Sequence, residues 1–141
     1  MLFREALLPL FVQVALTFGL LFWMGAARVG AIRRREVRMA DTALGQSNWP
    51  PHIQQIGNSY ANQFELPVLF YVLTILAMIT RHADILFVVM AWIFVLCRIG
   101  QAYVHVTTNE VRHRGLIYFV GAIVLVLMWL IFAVRILLGL P

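Results

Sequence analysis

Lysine is absent from this 141-residue chain, and all eleven basic residues are arginine. Charge of either sign is scarce, at 12% of residues against roughly 25% in an average soluble domain. With 62% of residues hydrophobic, a soluble domain of this size would leave much apolar surface in water. Composition thus excludes a soluble globular domain, and it excludes disorder as well. Cysteine occurs once, as Cys97, which excludes an internal disulfide and a disulfide scaffold. Cys97 lies in an apolar run and reads as a packed small hydrophobe rather than a nucleophile. His52, His82, His105 and His113 have no ligand spacing with cysteines or carboxylates, so no metal site is expected. There is no phosphate-binding glycine loop, no nucleic-acid recognition motif, no internal repeat and no low-complexity segment.

What is present is apolar sequence in lengths that fit a bilayer. A hydrocarbon core about 30 Å thick takes roughly 20 apolar residues per helix. The first such stretch is Ala6–Ala27, interrupted by Pro9, Gln13 and Thr17. It exceeds the roughly 7–15-residue core of a signal peptide, and no small-residue cleavage site precedes a soluble domain, so it reads as a retained span. The third and fourth spans cover about 83–106 and 115–140. The second has a purely apolar part, Leu66–Thr80, too short to cross alone. It therefore starts near Ile53–Ile56, brings Asn58, Asn62 and Glu65 into the membrane, and holds Pro67 within the helix. The expected architecture is an all-α integral membrane protein, a four-transmembrane-helix bundle forming one domain over residues 1–141, with spans about 6–27, 54–80, 83–106 and 115–140.

The connections run about 28–53, 80–83 and 107–113. Gly45 and the Trp49-Pro50-Pro51 run mark the first as a loop. Arg28, Arg33, Arg34, Arg35 and Arg38, with Arg112 and Arg114, lie at the first and third; Arg4, Arg81 and Arg135 lie on the other side. Seven against three places the first and third connections in the cytoplasm and both termini outside, in the inner membrane if the cell is bacterial.

The intramembrane polar residues fall on stripes in one leaflet. Asn58, Asn62 and Glu65 share a face of the second helix at i, i+4, i+7. Arg98, Gln101 and His105 share a face of the third at i, i+3, i+7, which Asn109 continues, and Arg114 and Tyr118 open the fourth. A charge in hydrocarbon costs at least about 2.5–3.5 kcal/mol, so Glu65 and Arg98 are expected to pair. Such a pair alone is equally consistent with a structural clamp. The surplus of Asn58, Asn62, Gln101, His105, Arg114 and Tyr118 goes beyond one pair and suits a small anionic or zwitterionic ligand. The Arg33–Arg35 run reads mainly as an anchor on anionic lipid.

The stretch Asn62-Gln-Phe-Glu65-Leu-Pro67 resembles the N-x-x-E signature of the MAPEG family, membrane-associated proteins in eicosanoid and glutathione metabolism. Arg98-Ile-Gly-Gln-Ala-Tyr-Val-His105, followed by Asn109, Arg114 and Tyr118, is similar to the family's third-helix exit and fourth-helix start, in the manner of bacterial members. The resemblance implies a homotrimer with glutathione as co-substrate, bound between protomers near the cytoplasmic surface in a U shape. It implies that Asn62 and Glu65 hold the peptide's amino end and that Arg98 supports the pocket or pairs with Glu65. Gln101, His105 and Tyr118 would approach the peptide, and Arg114 would lie near the thiol as the catalytic group. Either Arg34 or Arg38 would grip a carboxylate. The chain departs from glutathione-using mammalian members at Asn58, where they often carry arginine, and at His105, where they carry tyrosine. The implied activity is a glutathione-dependent transferase or peroxidase acting on a lipophilic substrate from the bilayer. The alternative is a non-catalytic membrane protein that binds a lipid or small anion in the same pocket. No nucleic-acid partner is expected.

Overall fold

The computed structural model describes residues 2–36, 38 and 49–141, which form helices and turns with no strand among the described residues. Helix α1 is Phe3–Arg33, α2 Pro51–Asn62, α3 Leu66–Ile79, α4 Ile85–Val106 and α5 Val111–Leu137. Among the described residues, four segments are long and apolar enough to cross a bilayer: α1, α2 with α3 as Pro51–Ile79, α4 and α5. A helix satisfies its own backbone in hydrocarbon, so the chain is an all-helical, multi-pass integral membrane protein. Gly45 lies outside the described residues.

The second span is interrupted where the sequence suggests one continuous helix. Pro67 has no N–H, and its ring would meet the carbonyl one turn back, that of Gln63, if the helix ran on. The chain instead tightens into a turn, with Gln63 N, Phe64 N and Glu65 N donating to the carbonyls of Tyr60, Ala61 and Asn62 at 3.0, 3.1 and 3.3 Å. The α3 helix then restarts with Pro67 in its first turn, where the missing N–H costs nothing.

Helix α4 is central and packs on α5, α1 and α2. The main core joins Phe70 and Leu73 of α3, Phe94 and Val95 of α4, and Leu125 and Met128 of α5. The rings of Phe70 and Phe94 lie 4.9 Å apart, a pairing worth about 0.5–1.5 kcal/mol beyond burial. Helix α5 passes close to α4 at Gly121, where a Cβ would make an ordinary contact, 3.5 Å from that of Cys97. At one end, Asp84 caps α4 by accepting from Phe87 N at 3.1 Å and pairs with Arg135 of α5 at 2.8 Å. Leu2 N donates to the Ala83 carbonyl at 2.9 Å, fastening α1 to the same corner. At the other end, Leu20, Ile56, Ala102 and Val106 pack α1, α2 and α4 together. There Arg28 lies across α2 at Gly57, where a Cβ would come within 2.9 Å of Nη2, and its guanidinium sits 4.9 Å from the Trp49 ring centre. The outer faces carry exposed Phe11, Phe22, Ile75, Ile85, Leu96 and Leu130, surface that lipid solvates and water does not.

Candidate functional site

At the end nearest Arg28, an open cleft of about 410 Å³ lies between α2, α4 and α5. Asn58 and Asn62 of α2 and Glu65 of the turn line one wall, Gln101 and His105 of α4 the floor, and Arg114 and Tyr118 of α5 the other wall. Seven of the residues singled out from sequence thus meet in one place. Ala61 and Gly115 complete the lining, and with no bulk at either position the mouth stays wide. Helix α1 contributes nothing to the lining.

Arg98 lies beneath the cleft rather than in it, with 1% of its surface exposed. Its expected partner is corrected by the structure: no ion pair joins it to Glu65 among the described residues. Its Nη1 donates to Gln101 Oε1 at 2.6 Å and its Nη2 to the main-chain carbonyl of Asn62 at 3.0 Å. The interruption of the second span is the cause. It carries Glu65 into an exposed turn at the start of α3, and it takes from the Asn62 carbonyl the N–H one turn ahead that a continuous helix would supply. Arg98 adds a second donor to that carbonyl beside the turn hydrogen bond from Glu65 N at 3.3 Å, a contact of the kind by which a neighbouring helix makes an interrupted span tolerable in a membrane. Its Nε remains buried without a partner.

Arg114 is positioned by the connection before it. Nη1 donates to Asn109 Oδ1 at 2.8 Å. Asn109 has φ +50°, left-handed backbone that asparagine tolerates better than most residues. Its N–H closes α4 by donating to the Val104 carbonyl at 2.7 Å. The same turn that ends α4 therefore aims the guanidinium beginning α5. His105 is buried in the last turn of α4, and its Nδ1 has no hydrogen-bond partner. Asn58 accepts from Gln54 at 2.8 Å on the exposed side of α2.

Arg34 and Arg38 do not line the cleft. Arg34 pairs with Glu36 at 2.9 Å with 61% of its side chain exposed, and Arg38 is exposed as well. Sequence reasoning missed a second polar link below the cleft. Gln13 of α1 donates to Gln63 Oε1 at 2.8 Å, and Gln63 donates to the Ser59 carbonyl at 2.8 Å. The available signal was the polar interruption of the first span at Gln13, facing an amide between Asn62 and Glu65.

These features define a class: a helical multi-pass membrane protein with a polar, arginine-bearing cleft among three of its spans. The MAPEG family model matches residues 6–134, nearly the whole chain, and the protein belongs to the MAPEG family. No curated protein and no solved structure matches it. Membership supports a membrane role of the glutathione transferase or peroxidase type in general terms.

Proposed function

We propose that this protein is a membrane-bound, glutathione-dependent transferase or peroxidase that acts on a lipophilic electrophile through an arginine-stabilised thiolate. The observation that carries this reading is the convergence of Arg114, Glu65, Asn62, Gln101, His105 and Tyr118 on one cleft. The residues fit a zwitterionic thiol peptide. Glu65, a carboxylate with no ion-pair partner among the described residues, suits an ammonium group, with Asn62 beside it. The volume falls in the roughly 300–1,000 Å³ range of small-molecule sites. Arg114 supplies the catalytic charge: a free thiol ionises near about 8.5, and an adjacent cation lowers that value. Arg98 supports the floor through Gln101 and Asn62, while Asn58 and Tyr118 flank the entrance. The thiolate would attack a substrate arriving from the bilayer, where such molecules concentrate.

The reading includes a homotrimer with glutathione between protomers and the cleft on the cytoplasmic side. Arg34 and Arg38 lie outside the cleft of their own protomer, so one of them would grip a glutathione carboxylate in a neighbour's. The test is conjugation of glutathione to a generic electrophile by the purified protein in detergent. Turnover that Arg114→Ala largely removes supports the reading, and robust turnover in Arg114→Ala contradicts the assigned role. Glutathione binding without turnover would instead support the non-catalytic reading, in which the cleft holds a lipid or small anion.

A further inference from the structure

Forming a thiolate requires a group that takes the proton, and Arg114 cannot serve, because a guanidinium has donors only. The acceptor has to come from the rest of the cleft. Asn58, Asn62 and Gln101 offer amides, which are not bases at neutral pH. Tyr118 is a phenol, whose hydroxyl is a donor as well as an acceptor. Glu65 is a carboxylate in the exposed turn, already engaged by the ammonium group in the proposed function. His105 offers an imidazole, whose neutral ring has one nitrogen able to accept a proton and which is the commonest general base. His105 also has the geometry. It is 7% exposed, lines the cleft, and keeps Nδ1 free of any hydrogen bond. The ring is largely buried at the floor of the open cleft, and no hydrogen bond among the described residues commits Nδ1 to one tautomer.

We propose that His105 is the proton acceptor for the glutathione thiol, with Arg114 holding the sulfur anion left behind; the proposal rests on the function proposed above. In the step, the S–H bond breaks, the proton moves to a ring nitrogen of His105 and the electron pair stays on sulfur. The sulfur then bonds to the electrophilic carbon. With chlorodinitrobenzene as the probe substrate, the carbon–chlorine bond breaks and chloride leaves with its electrons. The proton on His105 passes to solvent as the product departs. The groups around the ring are Arg98 on its own helix, Arg114 and Tyr118 on α5, Glu65 on the turn, and the neutral Asn58 and Asn62 on α2. The contact with α1 at this level is apolar, through Leu20 against Ala102 and Val106.

The experiment mixes glutathione with the full-length protein in detergent by stopped flow, at a pH where histidine is neutral. It follows the ultraviolet absorbance of the thiolate and, in weak buffer, an indicator for released protons. The wild type is expected to form thiolate without net proton release. His105→Gln is expected to slow thiolate formation and chlorodinitrobenzene turnover by about 100-fold, with recovery as rising pH lets hydroxide take the proton. The proton measurement uses the wild type alone and does not depend on the variant folding. Stoichiometric proton release with the thiolate, or a wild-type rate in His105→Gln, overturns the role of His105 and leaves the thiol reading standing. No thiolate at all in the wild type overturns both.

Discussion

Arg98 donates through Nη2 to the main-chain carbonyl of Asn62 at 3.0 Å, linking the middle of α4 to the last residue of α2. The break before Pro67 leaves that carbonyl with a turn hydrogen bond from Glu65 N at 3.3 Å in place of the helical one, and the arginine is tolerated in the bundle because the carbonyl and Gln101 receive its donors. A residue that looks functional by type thus first holds the site's framework together. The cleft keeps its shape because α2 and α4 are bridged directly below it.

Removing that bridge is expected to be costly, and the cost should depend on Pro67. A hydrogen bond from a charged donor contributes about 1.5–3 kcal/mol, so Arg98→Met should lower unfolding free energy in mixed micelles by about that much. In a Pro67→Ala background α2 can run into α3 and satisfy Asn62 internally, so the same substitution should cost less. A double-mutant cycle measures the difference; strict additivity would show that the two residues act separately.

The Gln13–Gln63 bond ties α1 to the turn below the cleft. Hydrogen bonds between membrane helices average about 0.6 kcal/mol and reach about 1.7. Gln13→Leu should destabilise the protein within that range. Gln13→Leu with Gln63→Leu should lie closer to wild type than the sum of the single changes, because neither amide then loses the other.

Asn109 positions Arg114 without lining the cleft. Asn109→Gly keeps the left-handed backbone within reach but removes the acceptor. Its melting temperature should stay within a few degrees of wild type, while thiolate stabilisation and kcat fall about tenfold, in line with a lost charged hydrogen bond of at least about 1.5 kcal/mol. Unchanged kinetics would show that Arg114 is held well enough by its own helix.

In the proposed trimer, one arginine of the first connection serves a neighbouring cleft. Arg34→Ala and Arg38→Ala should therefore differ, one raising KM for glutathione about tenfold or more with little change in kcat, the other having little effect. Equal, small effects for both would remove the first connection from the site.

Much of this was legible in sequence because hydrophobic length is written directly in residue types. So were the stripes: Asn62, Glu65, Gln101, His105, Arg114 and Tyr118 carry the spacing that brings them to one cleft. The partner of Arg98 was not legible, for a physical reason. Charge logic points to Glu65, but the acceptor is a backbone carbonyl, which every residue owns and only a helix interruption makes available. Pro67 signals trouble for the second span, yet whether a helix kinks or breaks is settled by the helices around it. The link between Gln13 and Gln63 needs α1 and α2 in a register that no single helix pattern specifies.

The central claim, that the cleft holds glutathione as an arginine-stabilised thiolate, is tested most directly by titrating glutathione into the detergent-solubilised protein while following thiolate absorbance and melting temperature together. The wild type should give a saturable thiolate signal and a rise in melting temperature, with the signal largely lost in Arg114→Ala. At a ligand concentration about 100 times Kd the stabilisation should be about 2.7 kcal/mol. The absence of both the thiolate signal and the melting shift at millimolar glutathione would contradict it.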